Sequence, residues 1–210
     1  MIVIRTKHDW LTEYLYNYTE ILISFAEERG FKVQKIEGLD IKFKHIEKRI
    51  RETKPRCIVF NGHGTTTSLC DNSKNEFINL DNAHVFKEII AFVRACNALK
   101  ELGPKAVKEG CTAFIGYKNR FWLAKKQGME SRPLSDPIAK PIIDASNVVV
   151  IGLLKGHSVE ESVNKSHQLT ENLFIDLLFS NDPYARVSLK PLLQNNQSLG
   201  FEGNPLAKIK

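Results

Sequence analysis

Apolar residues follow two rhythms along this chain. Short runs rich in β-branched residues, "MIVIRT", "FKVQKIEG", "RCIVFNG", "EIIAFVRAC" and "CTAFIGY", read as strands. Between the early ones lie "WLTEYLYNYTEILISFAEERG" and "LDIKFKHIEKRIRET", where apolar positions recur every three or four residues, as on one face of a helix. "LGPKAVKEG" is a short helix with Pro104 in its first turn. Two long helical patterns follow, "DPIAKPIIDASNVVVIGLLKG" and "SVEESVNKSHQLTENLFIDLLFS"; Ser158 and Glu161 form a capping box for the second. The stretch from Thr65 to about Asn79 and that from Lys118 to Ser135 read as loops, and a last strand is expected around Leu189 to Leu193. Strands alternating with helices predict parallel pairing, because each crossover must return over the sheet. The expected fold is α/β: three layers, a mostly parallel central sheet of about six strands, and helices on both faces. No repeat or linker divides residues 1 to 210, so one domain is expected.

Composition narrows the function. Hydrophobic residues at 42% and charged residues at 26% allow a packed core and argue against disorder. Thirty Lys plus Arg against twenty-four Asp plus Glu give +6, with a pI near 9.1, which raises the question of nucleic acid. In "KFKHIEKRIRETKPR" the basic residues interleave with apolar ones at helical spacing, the pattern of a solvated helix face, so nucleic acid is the minor reading. Its signature would be steep loss of binding with added salt. No signal-type apolar core opens the chain and "SNVVVIGLL" is too short to cross a bilayer, so a soluble, cytoplasmic protein is expected. Four cysteines show neither a CxxC pair nor zinc-like spacing with histidine, so reduced thiols and no metal or other cofactor are expected. The acids Asp71, Glu76, Asp81 and Glu88 have no spacing that requires calcium.

Chemistry concentrates where strands end. In open α/β sheets reactive groups gather at the carboxyl ends of the strands. The third strand delivers His63 inside "NGHG" and the fourth delivers Cys96 inside "RAC". If those strands are neighbours, an imidazole and a thiol share a crevice, the minimal equipment of a cysteine nucleophile. Gly62 and Gly64 let the backbone turn and approach a substrate, and the Gly64 and Cys96 amides could hold an oxyanion. The bland alternative makes Cys96 a small core residue and His63 a turn residue. Cys57 and Cys111 read as core; Cys70 is the rival nucleophile, in a loop too mobile to hold a thiol to catalytic tolerance. His84 and His157 lie near element ends. "NGHGTTTS" lacks both the GxxxxGK[ST] lysine and the GxGxxG spacing of phosphate cradles.

"CIVFNGHG", then "IIAFVRAC", a helix and "GCTAFIGY" resemble the caspase-like fold of clan CD cysteine peptidases, including the CHAT and gingipain branches. "GLLKGHSVEESVNKS" and "GNPLAKI" also resemble stretches of those branches. The resemblance implies a thiol endopeptidase with His63 as general acid/base, Cys96 as nucleophile, and Gly64 and Cys96 as oxyanion donors. It implies a protein or peptide substrate and no cofactor. Many members place a glycine shortly after the nucleophile, whereas "CNALKELG" delays it to Gly103. In caspase-like enzymes the residue two before the nucleophile lines the specificity pocket; here it is Arg94, which implies selectivity for Asp or Glu. Otherwise Arg94 points to solvent or pairs with Asp81 or Glu88. The alternative function is a catalytically inactive caspase-like binding or assembly module, capturing a peptide by strand addition. Regulation is expected from a partner, self-association, a small ligand or the loop from Thr65.

Overall fold

The computed structural model describes residues 1–209. Five parallel strands form the body of the sheet: β1 (Ile2–Arg5), β2 (Gln34–Glu37), β3 (Cys57–Asn61), β6 (Ile90–Arg94) and β7 (Ala113–Tyr117). A sixth, β8 (Leu199–Gly203), runs antiparallel to β7, and the order across the sheet is β2-β1-β3-β6-β7-β8. Residues of β1, β3, β6 and β7 are buried throughout, which is why these strands appear as near-continuous apolar runs.

Alternation along the strands sends side chains into two cores. Val3, Val59, Phe92 and Ile115 pack with helices α1 (Trp10–Glu28), α4 (Ala139–Leu154) and α5 (Val159–Leu178). Ile4, Phe60, Val93 and Phe114 pack with α2 (Phe43–Thr53) and α3 (Leu102–Lys108) on the opposite face. The expected capping box opens α5: Ser158 accepts from the Glu161 amide and Glu161 from the Ser158 amide.

Two expectations are corrected. The segment from Thr65 to Asn79 contains a hairpin, β4 (Ser68–Cys70) with β5 (Glu76–Asn79), whose Leu69, Phe77 and Ile78 cover the second core. Polar residues between these few apolar ones mask a strand so short. Leu189 to Leu193 is not a strand but part of α6 (Ala185–Ser198). Its buried stripe is Ala185, Ser188, Leu192 and Asn195, where small and polar residues stand at helical spacing and Pro191 sits inside the helix. The missing strand is the next segment, β8.

Candidate active site

β3 and β6 are neighbours in register, with Asn61 opposite Arg94, and the Gly62 amide donates to the Arg94 carbonyl at 3.2 Å. The chain beyond β3 therefore runs beside the chain beyond β6, which sets Gly64 against Ala95, with His63 and Cys96 as their neighbours in the chain. The glycines around His63 follow from that closeness. A Cβ at Gly64 would lie 2.9 Å from the Ala95 Cβ and 2.9 Å from the Ser68 carbonyl oxygen; one at Gly62 would lie 2.7 Å from Thr6 Oγ1. All these approaches are closer than side chains tolerate.

Gly64 faces Leu69 of β4 through flanking bonds, Cys70 N–H to the His63 carbonyl at 3.0 Å and Thr65 N–H to the Ser68 carbonyl at 2.8 Å. That is the geometry of a non-hydrogen-bonded antiparallel pair, so the Gly64 amide points away from the hairpin. Cys96 is half-buried at the margin of the first core. Asn97 follows it with φ 59°, a left-handed conformation that asparagine tolerates. Its amide donates to the Asn119 carbonyl at 3.0 Å. The turn after the nucleophile candidate is thus made by Asn97, without a nearby glycine.

The structure adds two residues that sequence reasoning missed. Asp9 and His8 lie in the turn between β1 and α1, at the tip of the strand on the other side of β3. Asp9 caps α1, accepting from the Thr12 amide at 2.9 Å through Oδ1. Its Oδ2 lies 2.6 Å from His63 Nε2. Burial opposes ionisation of Asp9, but the Thr12 amide and the His63 ring outweigh it and hold the carboxyl at about 2. An ionised carboxylate only accepts, so the His63 proton sits on Nε2 and Nδ1 is left as an acceptor. His8 places its ring edge-on to that of His63, centroids 5.0 Å apart. The signal for Asp9 was present as a capping residue before "WLTEYL"; its link to His63 needed the knowledge that β1 lies beside β3.

Arg94 is corrected. It is fully buried, points with Phe92 toward α4, and donates from Nε to Ser146 Oγ at 2.8 Å and from Nη2 to Asn147 Oδ1 at 2.5 Å. It neither meets solvent nor pairs with Asp81 or Glu88, and it lines no open pocket. Strand alternation explains this: a residue two before Cys96 on β6 shares the face covered by α4. Burial lowers its pKa to about 10, which still leaves it charged at neutral pH.

Cys70 stands in β4 rather than in a mobile loop, and burial, then the nearby Glu76 and Asp71, push its thiol up. Burial raises Cys57 and Cys111 to about 12, as core thiols. His84 lies in a short 3-10 turn against Phe43, and His157 lies just before the Ser158 cap. One cavity of about 570 Å³, lined by Arg51, Lys54, Arg56, Lys87 and Glu88 among others, opens where β3 and β6 begin, at the far end of the sheet from His63. No helix among the described residues is long and apolar enough to cross a membrane.

No protein-family model matches the chain, and no curated protein does. Among solved structures it is similar to the Arg-specific cysteine proteinase gingipain R, with a TM-score of 0.66 at 10% identity, over 100% of this chain and 47% of that one. The complex of Porphyromonas gingivalis RgpB pro- and mature domains gives a TM-score of 0.61 at 10% identity, over 100% and 48%. A third structure, described as a protease, gives 0.53 at 10% identity, over 99% and 48%. The chain spans about half the length of each. It has the caspase-like α/β fold of gingipain R, built on a mostly parallel six-stranded sheet.

Proposed function

We propose that the protein is a cysteine endopeptidase of the CHAT and gingipain kind, acting on protein or peptide substrates through His63 and Cys96 within one domain. The observation that carries this reading is the delivery of both residues from adjacent, in-register strand ends, with Asp9 bonded to Nε2 of His63. The Cys96 thiol gives its proton to His63 Nδ1, and the thiolate attacks the peptide carbonyl carbon. The Gly64 and Cys96 amides hold the oxygen that becomes negative. Collapse breaks the C–N bond, with His63 returning its proton to the leaving amine. Water, deprotonated by His63, then attacks the thioester and releases the acid, and the thiol is restored.

The buried Arg94 gives no basis for a preference for Asp or Glu, so specificity falls to other residues of the crevice. A peptide library with each residue fixed before the scissile bond, cleaved by wild type, Cys96→Ala, His63→Ala and Cys70→Ala, tests the reading. Expected is complete loss in Cys96→Ala, a fall of about 10²–10⁴-fold in His63→Ala, and activity kept in Cys70→Ala. Cleavage by Cys96→Ala at the wild-type rate removes Cys96 from the mechanism. Peptide bound but never cut by wild type and Cys96→Ala alike supports the inactive binding module instead.

A further inference from the structure

We propose that His8, Asp9 and His63 form a zinc site whose occupation switches off His63 as a base. The proposal is a regulation of the site above and rests on that reading for its effect, though not for the binding itself. One ligand atom from each of the three residues falls within 4.8 Å of the others. Two imidazoles and a carboxylate with room for a fourth ligand are a donor set suited to zinc.

The independent observation is His8. Its side chain is 12% exposed, yet both ring nitrogens are sealed from solvent and bond to nothing among the described residues. Buried polar atoms are nearly always partnered, so two orphan nitrogens on one ring ask for a ligand. His8 Nε2 lies 3.7 Å from Asp9 Oδ2, and His63 Nε2 lies 2.6 Å from that same oxygen. Ligand atoms about 2.0–2.1 Å from a tetrahedral zinc stand about 3.3 Å apart. The first separation must therefore close and the second open, each by less than about 1 Å.

The surroundings favour such a site. The Thr12 amide and hydroxyl both donate to Asp9 Oδ1 at 2.9 Å, fixing the carboxylate as outer partners fix metal ligands. The His8 amide donates to Thr12 Oγ1 at 3.0 Å, tying the same turn together. Zinc on His63 Nε2 takes the place of the proton held there, and the neutral ring carries its single proton on Nδ1 instead. That nitrogen can then no longer take the thiol proton of Cys96. The switch needs no movement of the sheet.

Zinc titration followed by calorimetry on the full chain carrying Cys96→Ala, and on the same chain also carrying His8→Phe, tests the site without cleavage. The first substitution removes the catalytic thiol as a ligand; the second keeps an aromatic ring and removes its nitrogens. Expected is one zinc per chain, bound at least about tenfold more weakly after His8→Phe. Equal affinity in both, or no binding in either, overturns the proposal. In the wild-type chain, zinc should stop peptide cleavage, a chelator should restore it, and His8→Phe should resist the metal. Cleavage that persists in zinc-loaded wild type overturns the switch. His8-dependent zinc binding in a chain that cuts no peptide when metal-free supports the site while overturning the peptidase reading.

Discussion

Asp9 divides its work between two oxygens. One caps α1 at the Thr12 amide, and the other fixes the ring of His63. Asn at this position keeps an oxygen for the cap, but the amide nitrogen it offers to His63 is a donor. The ring must then accept at Nε2 and carry its proton on Nδ1, the nitrogen that serves as base in the proposed mechanism. Asp9→Asn is therefore expected to leave the helix intact by circular dichroism and lower kcat/KM by about 10²-fold or more, with KM little changed. The same residue has a pH signature. Its folded pKa, about 2, lies below the ordinary aspartate value of 3.8, so its stabilising contribution is complete above about pH 4 and is lost as pH falls toward 2. Thermal melts of wild type across that window should decline more steeply than those of Asp9→Asn; parallel curves would remove Asp9 as a charged partner of His63.

Among the elements, the connection from β7 to α4 has the least regular structure and the most concentrated anchor. Asp136 is fully buried and accepts from Tyr14 Oη at 2.8 Å, the Lys126 amide at 2.9 Å, the Ile138 amide at 2.8 Å and the Ala139 amide at 3.1 Å. Burial, and then this bond, push the Tyr14 phenol above its ordinary range. Asp136→Ala strands all four donors, and a loss of about 3 kcal/mol is expected, allowing for partial relaxation. Calorimetry should show Tm lower by about 6–12 °C. An unchanged Tm would mean water replaces the carboxylate without cost. Asp136 also marks how far the sequence could be read. Strands β3, β6 and β7 announced themselves because a strand covered on both faces is apolar at every position, and their ends pointed to His63 and Cys96. Asp136 and Asp9 look like ordinary loop acids, since their value comes from partners far along the chain or on a neighbouring strand. Arg94 was misread because the spacing to Cys96 does not say which face of β6 is roofed by α4. Pro191 hid α6, because a proline argues against helix unless packing overrides it.

Over the whole molecule, the tips of β1, β3 and β6, three adjacent strands, carry Asp9, His63 and Cys96, while α4, α5 and α6 cover one face and carry none of the three. The sheet's last edge depends on β8, which pairs with β7 along all five of its residues. The segment after it is tied down as well: the Asn204 amide donates to the Thr112 carbonyl, and the Val159 amide at the start of α5 donates to Ala207. A chain ending at Ser198 leaves the outer edge of β7 unpaired, and an open, apolar edge recruits other strands. Such a chain is expected to elute as oligomers or aggregates in size-exclusion chromatography, where the full chain does not; an identical elution volume would show that β7 needs no cover. The distance between these partners also has a temporal side. About eighty residues separate β7 from β8, and a ribosome adding roughly 5–20 residues per second takes about 4–16 s to cross them. For that interval every nascent chain carries the unguarded edge of the truncated one, so chaperone demand during synthesis is set by where β8 falls in the gene.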